Sequence, residues 1–318
     1  MPESVAIVGA GVSGLTCGVV FAERGRAVKI FAEQIGTQTT SGAAGALWFP
    51  YDAELADKVI PWALATYKVL VDLTRDPRSG VSMIELRKYC RVAEIQVPDW
   101  ASSFSRYVIP SEADSVFKSG FSLRVPLMDT TLYLDYLANR FERAGGEIKR
   151  DVRFDKLEDV EGSLVINCAG IGARELARDA DLEPHRGQVA VVPKIDNLNC
   201  AVVCDDAPLM YAIPRINDCV FGGTNDISDN LSPDPVTTKA IVVECSRVLN
   251  IKKPRVLCER VGLRPFRKSG VRLEKEKLSD GRIAIHNYGH GGSGFTLSWG
   301  CAENVFEIAG YSAVVPIS

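Results

Sequence analysis

The chain has 318 residues, of which 46% are hydrophobic and 24% charged, the balance of an ordinary globular protein. This length predicts two domains and allows most of the apolar surface to be buried without disulfides or metals. The formal net charge of −3, together with the lack of any cluster of five basic residues, argues against a nucleic-acid partner.

The first elements of the chain predict a dinucleotide-binding unit. Residues 4–8 form an apolar run typical of a strand buried on both faces, and the pattern GAGVSG follows at 9–14. Gly9 would make the tight turn, and Gly11 would let the backbone approach a pyrophosphate. Gly14 would let the next helix pack closely on the strand, with its N-terminus toward the phosphates.

A helical pattern continues to Arg26, and a second apolar strand at 28–31 leads to Glu33, 19 residues past Gly14. A carboxylate at this position can accept hydrogen bonds from a ribose diol. It disfavours a 2′-phosphate and therefore NADP. FAD and NAD both remain open on these residues.

The middle of the chain alternates between helical and extended patterns. Residues 36–51 are rich in small and hydroxyl side chains and predict a loop that approaches a ligand. Amphipathic helices are predicted at 55–75 and 131–144, and partly alternating residues at 82–97 favour a strand. Residues 164–170 read as another buried strand that ends in a small-residue turn.

Residues 187–223 contain four short alternating runs separated by turn residues, which is typical of an antiparallel sheet. The cofactor domain is therefore predicted to be discontinuous, with segments of a second domain inserted between its own segments. We assign two sets of segments: 1–52, 131–188 and 272–318 to the cofactor domain, and 53–130 and 189–271 to the substrate domain.

The stretch HNYGHGGSGFTLSWGCA, residues 286–302, places His286 and His290 four residues apart. The four glycines around them exclude a helix, and no third ligand follows, so no metal site is expected. The stretch instead predicts a glycine-rich turn whose backbone approaches a ligand, followed by a helix from about Phe295. No motif for nucleophilic catalysis is present.

The segment 261–274 contains three arginines, Arg264, Arg267 and Arg272. A guanidinium group matches a carboxylate in bidentate fashion, so one of them is a candidate anion ligand. A solvated surface charge is the alternative for each of them.

The nine cysteines predict no disulfide framework and no zinc site. Their number is odd, no CxxC pair occurs, and Cys200 and Cys204 have no histidine nearby. No apolar run of about 18 residues is present, so neither a membrane span nor a membrane partner is expected. The N-terminus lacks a basic region and the chain ends in VVPIS, which predicts a cytoplasmic protein, or a peroxisomal one if the C-terminus is trimmed.

Taken in order, these motifs resemble those of the FAD-dependent D-amino acid oxidase family along essentially the whole chain. The matching pieces are VAIVGAGVSGL, TTSGAAGALWFPY, VINCAG, HRGQ, YAIP, VGLRPFR and HNYGHGGSGFTLSWGCA. The resemblance implies an α/β fold, with a Rossmann-type FAD-binding domain and a discontinuous α+β substrate domain built on an antiparallel sheet.

The resemblance also implies non-covalent FAD and a set of site residues. Sixteen residues would contact the FAD: Gly9, Gly11, Val12, Ser13, Gly14, Glu33, Thr39, Thr40, Ala44, Gly45, Ala46, Gly292, Ser293, Gly294, Phe295 and Thr296. Arg267 would pair with the substrate carboxylate, Tyr211 would hydrogen-bond it, and the carbonyl of Gly292 would accept from the amine. The implied reaction is hydride transfer from substrate Cα to flavin N5, yielding a 2-oxo acid, ammonia and H2O2.

Two departures from the family pattern bear on the substrate. The sequence DDAPLM stands where many members carry a second tyrosine, so Leu209 or Met210 would shape the pocket. Asp226 would repel an acidic substrate side chain, so we expect neutral D-amino acids, above all apolar ones, with O2 as the second substrate. A homodimer is also compatible with the resemblance.

Other functions remain as alternatives. Within flavin enzymes they are D-aspartate oxidase and glycine or sarcosine oxidase. More remote ones are an NAD-dependent dehydrogenase and a non-catalytic dinucleotide-binding protein.

Overall fold

The computed structural model describes residues 4–50, 56–104, 106–109 and 116–311, and all structural statements refer to these ranges. They contain fifteen strands and seven α-helices. The strands are β1 (Ser4–Ala10), β2 (Ala27–Ile35), β3 (Val81–Cys90), β4 (Arg106–Ile109), β5 (Ser119–Met128), β6 (Glu147–Arg150), β7 (Leu164–Asn167), β8 (Leu182–Pro193), β9 (Cys200–Cys204), β10 (Met210–Pro214), β11 (Asp218–Gly222), β12 (Asp226–Ile227), β13 (Cys258–Arg267), β14 (Arg272–Lys277) and β15 (Ile283–Tyr288). The helices are α1 (Val12–Glu23), α2 (Thr40–Ala43), α3 (Ala56–Leu73), α4 (Thr130–Arg143), α5 (Ala173–Leu176), α6 (Pro235–Val248) and α7 (Gly294–Ile308).

The first sheet has six strands in the order β14-β15-β7-β1-β2-β6. All of its pairings are parallel except that of β14 with β15. Successive residues of β1 point to opposite faces, so Val5 and Ile7 join one apolar cluster and Ala6 and Val8 join another. Burial on both faces explains why β1 reads as a continuous apolar run.

The second sheet has nine strands. Eight follow the order β12-β8-β11-β10-β9-β3-β5-β4, and β13 pairs with β8. The pairing of β3 with β9 is parallel, and the others are antiparallel. The long strand β8 pairs with β11 over one part of its length and with β13 over nearly all of it.

The predicted elements agree well with these strands and helices. The helices predicted at 55–75 and 131–144 are α3 and α4, and the helix predicted from about Phe295 is α7. The predicted loop at 36–51 contains the single turn α2 in its described part. Strand β8 begins at Leu182, ahead of the domain boundary predicted at 189, and the boundaries themselves stay predictions.

Other expectations concern metals, thiols and membranes. Within the described ranges, no group of three metal-binding side chains is close enough to hold an ion. All nine cysteines fall in these ranges and are free thiols. No helix in the described part of the chain combines the length and the apolar character needed to cross a bilayer.

Candidate active site

A cavity of about 740 Å³ takes its walls from both sheets. One end is formed by the β1–α1 turn and the end of β2. The other is formed by one face of the nine-stranded sheet. The N-terminus of α7 and the segment 39–49 also line it.

The β1–α1 turn has the close contacts that its glycines predict. Gly9 has φ +105°, and a Cβ there would lie 2.4 Å from the carbonyl oxygen of Cys168. A Cβ on Gly14 would lie 1.9 Å from the carbonyl oxygen of Gly9. Gly14 therefore lets helix α1 pack closely against the β1–α1 turn. It does not line the cavity, whereas Gly11 does.

The first turn of α1 opens onto the cavity. Its N-cap is Gly11, which has no side chain to cap the helix, and Val12 and Ser13 line the wall. The Ser41 hydroxyl accepts a hydrogen bond from the Val12 amide at 3.0 Å. A helix N-terminus bordered by glycine offers N–H groups and a partial positive charge to phosphate oxygens.

Glu33 lies in β2 at the same end of the cavity and is half exposed. The nearest cation is Arg153, whose Nη1 lies 3.7 Å from a Glu33 carboxylate oxygen. A carboxylate here can accept hydrogen bonds from a ribose diol, as its spacing from Gly14 predicts.

The segment 39–46 runs along the cavity toward the second sheet. Thr39, Thr40, Ala44, Gly45 and Ala46 all line the wall. A Cβ on Gly45 would meet Ile213 Cδ1 at 2.5 Å. The glycine therefore allows the loop to lie directly against strand β10.

The N-terminus of α7 forms another part of the wall. Gly292, Gly294 and Phe295 line the cavity. Ser293 and Thr296 are buried and do not line it. The Thr296 hydroxyl instead hydrogen-bonds the backbone N–H and C=O of Phe49, at 3.1 and 3.0 Å. Thr296 thus ties the start of α7 to Phe49, and the direct FAD contacts of Ser293 and Thr296 stay predictions.

The guanidinium of Arg264 lies at the sheet end of the cavity. Its Nη1 donates to the Thr224 carbonyl at 2.8 Å and to Asn225 Oδ1 at 3.0 Å. A Cβ on Gly187 would lie 2.5 to 2.7 Å from three of the guanidinium atoms, so the group stacks on bare backbone. Two hydrogen bonds and a flat support hold the fork in one orientation.

Tyr211 lies beside Arg264 on the same face of the sheet. A Cβ on Gly222 would lie 2.0 Å from Tyr211 Cζ, so the ring occupies the space above that glycine. Burial raises the pKa of Tyr211, and the nearby Arg264 charge opposes this shift only in part. The phenol therefore stays protonated at neutral pH and can donate a hydrogen bond.

The position of Arg267 differs from the prediction. Its Nε lies 2.8 Å from an oxygen of the buried Asp179, its Nη1 donates to the Gly270 carbonyl, and it does not line the cavity. Tyr288 donates to the same Asp179 oxygen at 2.8 Å. Arg264 and Arg267 are three residues apart in β13, and residues an odd number apart in a strand face opposite sides.

Other sequence-based expectations also change. Leu209 lines the cavity, whereas Met210 points into a separate apolar cluster. Asp226 lies in β12, is exposed and does not line the cavity, so charge repulsion from it does not shape the substrate site.

Several lining residues were not assigned a role from the sequence, among them Ser41, Phe49, Lys88, Asp205 and His290. His290 is buried, and burial lowers its pKa to about 4, so the imidazole is neutral at physiological pH. Its Nε2 lies 3.1 Å from Asn287 Oδ1. Ser41 and Phe49 fall in the small-residue loop that the sequence singled out, but Lys88 and Asp205 carried no local signal.

Known proteins match this chain over nearly its whole length. A family model described as "FAD dependent oxidoreductase" matches residues 4–308. A D-amino-acid oxidase from Rubrobacter xylanophilus is 40% identical over 313 residues, covering 96% of this chain and 95% of the relative. A D-amino-acid oxidase from Streptomyces coelicolor is 38% identical and covers 96% of each. The chain belongs to the D-amino-acid oxidase family of FAD-dependent oxidoreductases.

Solved structures support the fold of this family member. A glycine oxidase from Geobacillus kaustophilus superposes with a TM-score of 0.81 at 15% identity, covering 99% of this chain and 97% of that one. The predictions of the family, the fold and the FAD cofactor are thus confirmed.

The cavity of this flavoenzyme fits FAD. The glycine turn and the N-terminus of α1, whose N-cap Gly11 has no side chain, suit a pyrophosphate, and Glu33 suits the adenosine ribose. The segment 39–46 and the N-terminus of α7 offer small residues and backbone to a flat ring. The individual FAD contacts stay predictions.

Proposed function

We propose that this enzyme catalyses the oxidative deamination of neutral D-amino acids to 2-oxo acids, ammonia and H2O2. The observation that carries the proposal is the convergence of Arg264 and Tyr211 on one end of a cavity whose other end is a dinucleotide-binding turn. The relatives named D-amino-acid oxidase, at 40% and 38% identity over nearly the full chain, supply the reaction class.

Arg264 is proposed to bind the substrate carboxylate, in place of Arg267. Its Nη1 is held by Thr224 and Asn225, which leaves other N–H groups of the fork for a ligand. Tyr211 would donate a second hydrogen bond to the same carboxylate. A neutral hydroxyl and a fixed cation orient the carboxylate without supplying a base.

The substrate amine would face the start of α7. The carbonyl of Gly292 is the proposed acceptor for it, since Gly292 lines the cavity beside the helix. Tyr211 keeps its proton at neutral pH and His290 stays neutral, so neither places a charge near the amine. When bound, FAD supplies the oxidant that takes up two electrons with the Cα hydrogen and passes them to O2.

The preference for neutral side chains follows from the wall next to Tyr211. Leu86, Val203, Leu209 and Ile213 line the cavity there. Burial of a substrate methylene against such a wall contributes about 0.8 kcal/mol. An uncompensated charge on the side chain would be costly to bury in the same place.

The proposal is tested by an H2O2 assay of the purified holoenzyme on D- and L-amino acids, glycine, sarcosine and D-aspartate. The protein should be yellow and should release FAD on denaturation. We expect the highest kcat/KM with neutral D-amino acids. Faster turnover of L-enantiomers, glycine, sarcosine or D-aspartate would refute the substrate assignment, and a colourless protein that cannot be reconstituted with FAD would refute the reaction class.

A further inference from the structure

Lys88 and Asp205 form an ion pair in the cavity wall, and both residues line it. The Lys88 side chain is 12% exposed and that of Asp205 is 40% exposed. The Lys88 ammonium also lies 5.5 Å from the centre of the Phe49 ring, another lining residue. A pair in this position is exposed to whatever occupies the cavity.

Strand register places this pair next to the proposed substrate site. Tyr211 in β10 is paired with Val203 in β9, and Val203 is paired with Lys88 in β3. Directly paired residues point to the same face of a sheet, so the three side chains form one row along the cavity. Leu86 lies two residues before Lys88 and shares the face.

This row has the length of an amino-acid side chain plus its anchoring group. Adjacent strands are about 4.8 Å apart, so Lys88 lies about 10 Å across the sheet from Tyr211. An extended substrate side chain of four or five bonds spans roughly 6 Å at about 1.5 Å per bond. A substrate anchored at Arg264 and Tyr211 can therefore bring the end of its side chain to the ion pair.

We propose that Lys88 and Asp205 are specificity-determining residues, an inference that rests on the proposed function. As a closed pair, they present no uncompensated charge to the end of the substrate side chain. A charged side chain would lose its hydration and find its potential partner already engaged. The pair therefore favours neutral side chains, and removing either member exposes a charge that selects the opposite one.

The test compares substrate pairs that differ in charge and little in shape. Asp205→Asn removes the carboxylate that neutralises the Lys88 ammonium, so an acidic side chain gains a positive charge to bind. It should raise the ratio of kcat/KM for D-glutamate over D-glutamine at least about tenfold, equivalent to about 1.4 kcal/mol. Lys88→Met should act in the opposite sense and raise the ratio for D-lysine over D-norleucine by a similar factor.

Matched controls make the same chemical changes at exposed ion pairs outside the cavity. Asp72→Asn removes the partner of Arg75, and Lys149→Met removes one of the two partners of Glu147. Both should leave the two ratios at wild-type values. The FAD content and melting temperature of each variant show whether it is folded. If one cavity variant does not fold, the other still tests the inference, because each is measured on its own substrate pair.

The two possible failures can be told apart. If wild-type holoenzyme oxidises neutral D-amino acids but neither variant changes its ratio relative to its control, the inference about the ion pair is overturned and the proposed function stands. If wild-type holoenzyme oxidises no D-amino acid, the proposed function itself fails.

Discussion

The two ends of the cavity were predictable to different degrees. At the dinucleotide end, the decisive residues form one continuous strand–turn–helix segment, and each glycine makes the contact its position predicts. At the substrate end, Arg264, Tyr211 and Lys88 come from three strands distant in sequence. Short-range motifs thus predict the phosphate site, whereas the substrate site depends on which face of each strand is turned inward.

The largest effect is expected at the dinucleotide end. Gly14→Ala would place a Cβ 1.9 Å from the Gly9 carbonyl oxygen, and only backbone movement can relieve that contact. We expect purified Gly14→Ala protein to hold less than about a tenth of the wild-type FAD. Gly18→Ala in the same helix is the control, since its Cβ would meet only the side chains of Ile30 and Phe141, outside the cavity, and FAD content should stay near the wild-type value. A yellow, fully loaded Gly14→Ala enzyme would show that this close packing is dispensable.

At the substrate end, substitution of the two arginines of β13 should affect different properties, catalysis for Arg264 and stability for Arg267. Arg264→Met should lower kcat/KM for a neutral D-amino acid by an amount equivalent to about 2–5 kcal/mol of lost transition-state stabilisation, at unchanged FAD content. Arg267→Met should largely keep kcat/KM but lower the free energy of unfolding by about 1–3 kcal/mol, since Asp179 loses a charged partner. Steady-state kinetics and urea unfolding of both variants measure the two effects. The reverse pattern would restore Arg267 as the carboxylate ligand.

A smaller effect on KM is expected at Gly187, the residue on which the Arg264 guanidinium stacks. Gly187→Ala would put a methyl group about where the Arg264 guanidinium lies, and the flexible arginine side chain can move away. KM for a D-amino acid should rise about tenfold, which corresponds to about 1.4 kcal/mol, with FAD content unchanged. An unchanged KM would mean that the stacking of Arg264 on this glycine does not orient it.

The smallest effect concerns pH and the buried His290. Its pKa falls from 6.5 to about 4 on burial, so the folded state disfavours the protonated form. The resulting stability is complete above pH 6.5 and is lost as pH falls toward 4. Between pH 6 and 5, the free energy of unfolding should fall by about 1 kcal/mol from this group.

Chemical unfolding across this pH range provides the measurement. His290→Gln should reduce the dependence of the free energy of unfolding on pH. The control is His185→Gln, which removes a histidine of β8 outside the cavity wall. Equal slopes in the wild type and His290→Gln would assign the acid sensitivity to other groups.

Particular residues show what the sequence could and could not predict. Gly9, Gly11 and Glu33 were identified because a phosphate-binding turn needs fixed spacings within one segment. Arg264 and Arg267 are equivalent candidates in the sequence, because the pattern of a ten-residue strand does not show which of its two faces lies toward the cavity. The structure separates them, since Arg264 lines the cavity and Arg267 pairs with Asp179 outside it.

Lys88 shows a second limit. It lies in a strand with partly polar alternation, and its role depends on the parallel pairing of β3 with β9, which joins segments far apart in sequence. Such pairing is set by the packing of the whole sheet and leaves no short motif. Asp205 lies just after β9 and reaches Lys88 only because of that pairing.

The central claim, that Arg264 holds D-amino acids for oxidation in this cavity, is tested most directly by anaerobic reduction of the bound flavin. Wild-type, Arg264→Met and Arg267→Met holoenzymes would each be mixed rapidly with D-alanine or L-alanine while the visible flavin absorbance is followed. We predict fast bleaching by D-alanine in the wild type and Arg267→Met, bleaching at least about 30-fold slower at low substrate in Arg264→Met, and little with L-alanine. Equal rates in the wild type and Arg264→Met, or faster bleaching by L-alanine, would contradict the account.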